Sequence, residues 1–167
     1  MDNRQKDVSS TNQNKTLSEN ISGEEGQIQK ILEAWADAFR KADIEALLNF
    51  YSPDVVAFDM MPPLSFIGKM AYENAWRTAA KSSQAPWIFR AQDRKIYVGG
   101  DIAFTHCLAE CGGTMDGKTQ SGFVRLTQGF KKFGDKWLIV HDQYSVPIDM
   151  ESGKALMDLK PGQPAKH

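Results

Sequence analysis

The sequence predicts an α+β domain in which helices cover one face of a long, curved sheet. Three segments in the first half carry apolar residues at intervals of three and four, the period of an amphipathic helix. From Pro86 onward the pattern changes to four long β segments joined by short turns, which makes neighbouring strands antiparallel. A sheet of this length twists and curls, so helices on its concave face leave a cone-shaped space that suits a ligand.

Two amphipathic helices open the predicted fold. Ser22 and Glu25 have the S-x-x-E spacing of a capping box, and the helix that they begin runs to about Ala42. The apolar stripe of this helix consists of Ile28, Ile31, Leu32, Trp35 and Phe39. Asp43 can cap a second, shorter helix that extends through Tyr51.

A short strand and a third helix complete the first half. Residues 55–60 are strand-like, and the Met-Pro-Pro sequence that follows breaks the strand. Gly68 precedes a helix whose apolar face contains Tyr72 and Trp76. The four long strands are expected at residues 87–98, 102–111, 119–133 and 137–146.

Composition limits the number of domains and the kinds of partner. The chain has 167 residues and 41% of them are hydrophobic, so one domain with one core is expected. The 20 basic and 21 acidic residues leave a formal charge of -1. Because this balance provides no general field that attracts phosphate, we expect neither nucleic acid nor a membrane surface as a partner.

The chain divides into three parts by composition. Residues 1–21 are polar and contain no aromatic residue, which predicts a disordered tail. Residues 22–147 form the predicted domain, and residues 148–167 form a C-terminal extension that we expect to wrap the surface. No apolar run approaches the ~20 residues of a spanning helix, and the N-terminus lacks the apolar segment of a secretory signal, so a cytoplasmic location is expected.

Asp59 is the candidate functional residue that the pattern singles out first. It places a carboxylate in an otherwise apolar strand between two helical segments. A carboxylate in such a position is either satisfied by hydrogen bonds or has a raised pKa and exchanges protons with a bound molecule.

The order of these features resembles a known family. Three helices, an Asp at the end of the first strand, and a final hairpin with a Gly-Asp-Lys-Trp turn at residues 134–137 are similar to the SnoaL-like and ketosteroid-isomerase-like proteins of the nuclear transport factor 2 superfamily. The resemblance covers about residues 24–147. It implies a cystatin-like α+β barrel, cone-shaped, with an antiparallel or mixed sheet through which two copies form a homodimer. It does not imply a single activity.

The resemblance also implies roles for individual residues. In ketosteroid isomerases the general base is an Asp that follows the second helix and first strand, and Asp59 matches that position. The Tyr and protonated Asp that stabilise the enolate correspond here to Trp35 and Gln128, which are weaker neutral donors. The resemblance therefore implies acid–base chemistry on a less demanding substrate than a steroid.

Two histidines and an aspartate on the late strands have alternative interpretations. His106 alternates with Phe104 and Leu108, on the face that the resemblance places inside the cone, although a His in an apolar strand is more often a core residue than a catalytic one. His141 and Asp142 are adjacent, so only one can point inward. Matching the hairpin to the family favours Asp142 together with Tyr144, and a slip of one residue would reverse this.

Several aromatic residues could line a pocket for a ring-containing ligand or could simply form the core. They are Trp35, Phe39, Phe58, Phe66, Trp76 and Phe130. No metal is expected, because the histidines show none of the short spacings of ligand sets, and no glycine-rich phosphate loop occurs. No cofactor is expected, because the acid–base chemistry that the resemblance implies needs none.

Two hypotheses follow. In the first, the chain binds a small apolar or aromatic molecule bearing a carbonyl group and acts on it as a cofactor-independent isomerase, cyclase or dehydratase, with Asp59 and His106 as catalytic residues. In the second, it is a non-catalytic homodimeric association domain whose cone is filled by its own side chains. A pocket of about 300 Å³ or more that reaches Asp59 would favour the first.

Overall fold

The computed structural model describes residues 23–163 and contains three helices in that range. They are α1 (Glu24–Lys41), α2 (Ile44–Leu48) and α3 (Lys69–Ser82). The predicted cap Ser22 and the predicted tail at residues 1–21 lie outside the described residues. Asp43 caps α2 as expected, since its Oδ1 accepts a hydrogen bond from the backbone N–H of Ala46 at 3.0 Å.

Six strands form one mixed, curved sheet that does not close, which confirms the predicted fold class. The strands are β1 (Tyr51–Phe58), β2 (Phe66–Ile67), β3 (Gln84–Gly99), β4 (Ile102–Met115), β5 (Lys118–Phe133) and β6 (Lys136–Ser145). Their order in the sheet is β2-β1-β6-β5-β4-β3. β1 and β6 run parallel, and every other neighbouring pair is antiparallel.

The first strand differs from its prediction. The helix α2 ends at Leu48, earlier than expected, and β1 already begins at Tyr51. The chain can turn within so few residues because the N–H groups of Asn49 and Phe50 donate to carbonyls of α2. As a result Tyr51 belongs to the sheet and is fully buried rather than lying on a helix.

The core lies between the helices and one face of the sheet. α1 packs mainly on β3, and aromatic rings fill the contact. The Trp35 and Phe89 rings meet edge to face with centroids 5.0 Å apart, and Phe39 meets Trp87 in the same way at 5.3 Å. Such pairs are favoured by the ring quadrupoles in addition to the area that they bury.

A shift in register decides which residues of β6 face the core. Phe130 pairs with Ile139, but the next pair is Gly129 with His141, so β6 contains one extra residue at this point. Because of this bulge, Ile139 and Asp142 both point inward although they lie three positions apart. Of His141 and Asp142, only one of which could point inward, Asp142 is therefore the residue that faces the core.

The outer face of the sheet contains two residues that were expected inside. On β4 the buried residues are Ala103, Thr105, Cys107 and Ala109. His106 is consequently exposed on the outer face, where its ring stacks on Tyr97 with centroids 6.0 Å apart. Phe58 is also outside, 43% exposed and against the ring of His141. The inward orientation predicted for His106 and Phe58 is wrong.

The chain after β6 forms a strap over the sheet, which we define as residues 146–163. It turns back on itself, with a bridge between Ile148 and Ala155 and a hydrogen bond from Leu156 N–H to the carbonyl of Pro147 at 2.9 Å. Its Met157 carbonyl lies directly against Gly122 of β5. No helix within residues 23–163 combines the length and apolar character needed to cross a bilayer.

Candidate ligand site between the helices and the sheet

Asp59 lies one residue beyond the end of β1 and is half-buried. Its Oδ1 accepts a hydrogen bond from the backbone N–H of Met61 at 3.2 Å, and its Oδ2 accepts one from the Tyr72 hydroxyl at 3.1 Å. The carboxylate is therefore oriented from two sides, by the loop that follows it and by α3.

Asp59 lines an inner cavity of about 140 Å³ between α1 and α3. The cavity is lined by Phe39, Asp59, Met60, Met61, Tyr72, Ala75, Trp76 and Ala79. Three predicted site residues, Phe39, Asp59 and Trp76, thus come together. Asp59 is the one acidic side chain of this lining, and the Tyr72 hydroxyl and the Trp76 indole N–H are its other polar side-chain groups.

A larger outer chamber of about 490 Å³ adjoins the inner cavity. The two share five lining residues: Phe39, Met60, Met61, Trp76 and Ala79. The outer chamber is completed by Ser82, Ser83, Trp87, Cys111, Gly112, Gly113, Met115, Gln120, Ser121, Gly122 and Met157. Asp59 therefore lines only the small inner cavity. The adjoining outer chamber, which Asp59 does not line, has a volume in the range of ligand pockets.

A second carboxyl group, Asp142, lies deeper and has no exposed surface. The Tyr51 hydroxyl donates a hydrogen bond to its Oδ2 at 2.6 Å, and the Trp35 indole N–H donates in turn to the Tyr51 oxygen at 3.0 Å. Burial raises the pKa of Asp142 to about 7, although its Tyr51 hydrogen bond and the neighbouring Gln128 oppose the shift. The negative charge of Asp59 raises it further.

The hydroxyls that face the two carboxyl groups remain donors at neutral pH. Burial, and next the charge of Asp142, raises the pKa of both Tyr51 and Tyr72 well above its usual value. Tyr72 donates to Asp59 and also lies close enough to Asp142 to lower the pKa of that carboxyl. The Tyr72 hydroxyl thus lies near both carboxyl groups, the half-buried Asp59 and the fully buried Asp142.

Some polar atoms around Asp142 are unpartnered. Among the described residues, no hydrogen bond of ordinary geometry reaches Asp142 Oδ1, Gln128 Nε2 or the Tyr144 hydroxyl. Asp142 and Gln128 are directly paired across β5 and β6, so a hydrogen bond from the Gln128 amide to Oδ1 would join neighbouring residues. The cost of leaving buried groups unpaired makes such a contact favourable.

The remaining predicted ligand contacts belong to the core of this structure. They are Trp35, Phe66, Gln128, Phe130, Asp142 and Tyr144, all buried and none lining either cavity. The sequence pattern indicates no site role for Tyr72 or Tyr51. Tyr72 was recognisable only as a residue of the apolar face of α3, and its contact with Asp59 depends on how α3 packs against β1.

Comparison with known proteins shows the family. The family model described as a SnoaL-like domain matches residues 28–149. The chain belongs to the SnoaL-like family. A solved structure of an NTF2-like protein from Pseudomonas putida is 38% identical, covers 81% of this chain and 95% of its own, and superposes with a TM-score of 0.76.

More distant structures share the fold of this SnoaL-like domain. An NTF2-like superfamily protein from Salmonella enterica is 20% identical with a TM-score of 0.67, covering 78% of this chain and 96% of its own. A ketosteroid isomerase-like protein from Erwinia carotovora is 18% identical with a TM-score of 0.61, covering 72% and 95%. A search of curated proteins found no match.

Proposed function

We propose that this SnoaL-like protein binds a small apolar molecule bearing a carbonyl group and that Asp59 transfers a proton to or from it. The observation that carries the proposal is the placement of Asp59. It is an oriented, half-buried carboxylate in an apolar cavity that adjoins a chamber of ligand size. An isomerase, cyclase or dehydratase reaction without a cofactor fits this arrangement.

The chemistry follows from the charge on Asp59. The ionised carboxylate removes a proton from the carbon next to the carbonyl, the electron pair of that C–H bond forms an enolate, and the protonated Asp59 returns the proton to another atom of the ligand. Tyr72 holds the carboxylate in place with its hydroxyl. A ligand that fills the cavity displaces water from it, which strengthens the electrostatic interactions there.

The predicted helpers of Asp59 take other roles in this proposal. Trp35 donates its indole N–H to Tyr51 and lines neither cavity, so we assign it to the support of Asp142. His106, on the outer face, is not part of the catalytic group. Asp142 is the buried acid that the Tyr51 hydroxyl contacts, and we assign it no direct part in the proton transfer.

Exchange of carbon-bound hydrogen tests the proposal without knowledge of the natural substrate. Cyclic ketones are incubated with the protein in D₂O, and loss of the signal from hydrogens next to the carbonyl is followed by NMR. Asp59→Asn should reduce the protein-dependent rate to background, and Tyr72→Phe should lower it while leaving it measurable. Asp54→Asn, which removes an exposed carboxylate of β1, is the matched control. Wild-type exchange in Asp59→Asn would refute the role of Asp59.

A non-catalytic role is the second candidate, because the interior beyond the inner cavity is filled. Trp35, Phe89 and Phe130 are buried in the cone, and the cavity that Asp59 lines is smaller than a typical ligand pocket. In this case the function is association, and ketones neither exchange hydrogen nor raise the thermal stability of the protein.

Under both candidates we propose a homodimer through the outer face of the sheet. Tyr97 and Phe104 stack there with centroids 4.7 Å apart and are about half exposed, which is typical of an interface. Light scattering at micromolar concentration should give the mass of two chains, and Phe104→Glu should give one. A cytoplasmic location belongs to the same proposal and agrees with two free cysteines, Cys107 and Cys111.

A further inference from the structure

The outer chamber has a lining without charge. Its sixteen residues include no Asp, Glu, Lys, Arg or His, whereas 25% of the whole chain is charged. A charged group placed in such a lining would find no opposite charge to compensate the hydration that it loses. The chamber therefore favours an uncharged guest, and its volume of about 490 Å³ lies within the usual range of ligand pockets.

Tryptophan and glycine residues contribute to the lining of the chamber. The indoles of Trp76 and Trp87 stack with their planes 29° apart and their centroids separated by 6.1 Å. On the sheet, Gly112, Gly113 and Gly122 leave the neighbouring positions of β4 and β5 without side chains. At Gly112 only glycine fits, since a Cβ would lie 2.1 Å from the carbonyl oxygen of Gln120. The aromatic rings in the chamber wall favour a guest with flat rings.

Four methionines of the chamber lining are partly exposed. They are Met60, Met61, Met115 and Met157, each between 43% and 49% exposed. Methionine is flexible and polarisable, and it is common on surfaces that adapt to apolar ligands of different shape. Met157 belongs to the strap, so the C-terminal extension forms one wall of the chamber and is part of the site.

From these observations we propose that the outer chamber binds the uncharged, ring-containing body of the ligand, with the strap as its outer wall, while the carbonyl end reaches Asp59 in the inner cavity. The two cavities share five lining residues, so they are adjacent, and a ligand in the outer chamber lies next to the cavity that Asp59 lines. The part concerning Asp59 rests on the proposed function, whereas the binding of an uncharged ring system in the chamber does not.

Two fluorescent probes test the chamber directly. 1-N-phenylnaphthylamine is uncharged and carries rings, and 8-anilinonaphthalene-1-sulfonate has a similar ring system with a sulfonate. The uncharged probe should bind about tenfold more tightly or better, and it should quench tryptophan emission because Trp76 and Trp87 lie in the wall. Equal or stronger binding of the sulfonate probe would overturn the proposal.

Variants locate the bound probe. Ala79 lines both cavities, so Ala79→Leu should weaken binding of the uncharged probe about tenfold, whereas Ala80→Leu, the same change one residue later and in neither cavity, should leave it unchanged. Met157→Lys places a charge at the exposed edge and should shift preference towards the sulfonate probe. Wild-type binding in both Ala79→Leu and Met157→Lys would overturn the proposal. If Ala79→Leu fails to fold by circular dichroism, Met157→Lys decides alone.

Asp59→Asn separates this inference from the proposed function. The probe has no carbonyl group, so it should bind the Asp59→Asn protein as it binds the wild type, while hydrogen exchange on ketones is lost. Loss of exchange with normal probe binding supports both proposals. Normal exchange in Asp59→Asn with weakened probe binding in Met157→Lys refutes the catalytic role of Asp59 and supports the chamber.

Discussion

Replacing Asp142 by Asn should make the protein more stable at neutral pH. Asp142 is fully buried, and its pKa rises from an ordinary 3.8 to about 7 in the folded protein. Between these two values the folded protein keeps a proton that the unfolded chain releases. The free energy of unfolding of the wild type therefore falls as pH rises, by about 1.4 kcal/mol per pH unit.

The size of the effect follows from the width of this pH window. The window spans about three pH units, so the ionisation of Asp142 removes about 4 kcal/mol of stability once the pH passes about 7. Asn has nearly the shape of the protonated acid and can still accept the hydrogen bond from Tyr51. Asp142→Asn should therefore match the wild type near pH 4 and exceed it by up to about 4 kcal/mol at pH 8.

Urea unfolding at intervals from pH 4 to pH 8 measures the difference between the two proteins. Asp54→Asn, which removes an exposed carboxylate, controls for the general effect of losing a negative charge. A difference between Asp142→Asn and the wild type that does not change with pH would refute the reasoning, because it would mean that Asp142 titrates alike in the folded and unfolded states.

Three further predictions concern the support of the site and the strap. Tyr51→Phe removes the O–H donor to the buried carboxyl and should lower the free energy of unfolding by about 1–3 kcal/mol in urea titrations. Asp43→Ala removes the cap of α2 and should cost about 1 kcal/mol by the same measurement, whereas Asp43→Asn should cost little. Gly122→Ala would place a Cβ 2.7 Å from the carbonyl oxygen of Met157, so proteases should cut the strap faster, whereas Gly99→Ala, with nothing within 4 Å, should leave cleavage unchanged. Unaltered cleavage in Gly122→Ala would mean that the strap does not depend on this contact.

The long strands could be predicted because their ends are marked in the sequence. The expected strand at residues 119–133 is found as β5, Lys118–Phe133, between an Asp-Gly turn and a Gly-Asp turn. Both turns contain residues with positive φ, such as Gly117 and Gly134, which glycine adopts without strain. Turn chemistry of this kind is local, so the sequence alone can show it.

The inward face of β4 could not be predicted from hydrophobicity. Ala103 and Cys107 point inward and Phe104 and His106 outward, so both faces are largely apolar and the bulkier residues are outside. The interior beside β4 accepts small side chains because rings from α1 and β3 already fill it, among them Trp35. This partition depends on tertiary packing, and the error at His106 follows from it.

The site itself could be predicted in part. Asp59 stood out as a carboxylate in an apolar segment, and Phe39 and Trp76 were recognised as apolar residues of the helices that face it. The inward position of Asp142 depends on the bulge in β6, which no Gly or Pro of β6 itself marks, although Gly129 lies opposite it on β5. The contact between Tyr72 and Asp59 joins residues separated by a loop and β2, so it exists only once α3 has packed on β1.

The most direct test of the central claim is to map where a ketone binds. A ring-containing ketone is titrated into ¹⁵N-labelled protein, and the amide and indole signals are followed by NMR. We expect saturable shifts at Asp59, Tyr72 and the indole N–H of Trp76, and no shift at Phe104 on the outer face. Shifts confined to Phe104 and its neighbours, with the signals of Asp59 and Tyr72 unchanged at saturation, would contradict the claim that this carboxylate is accessible to a ligand in an apolar cavity.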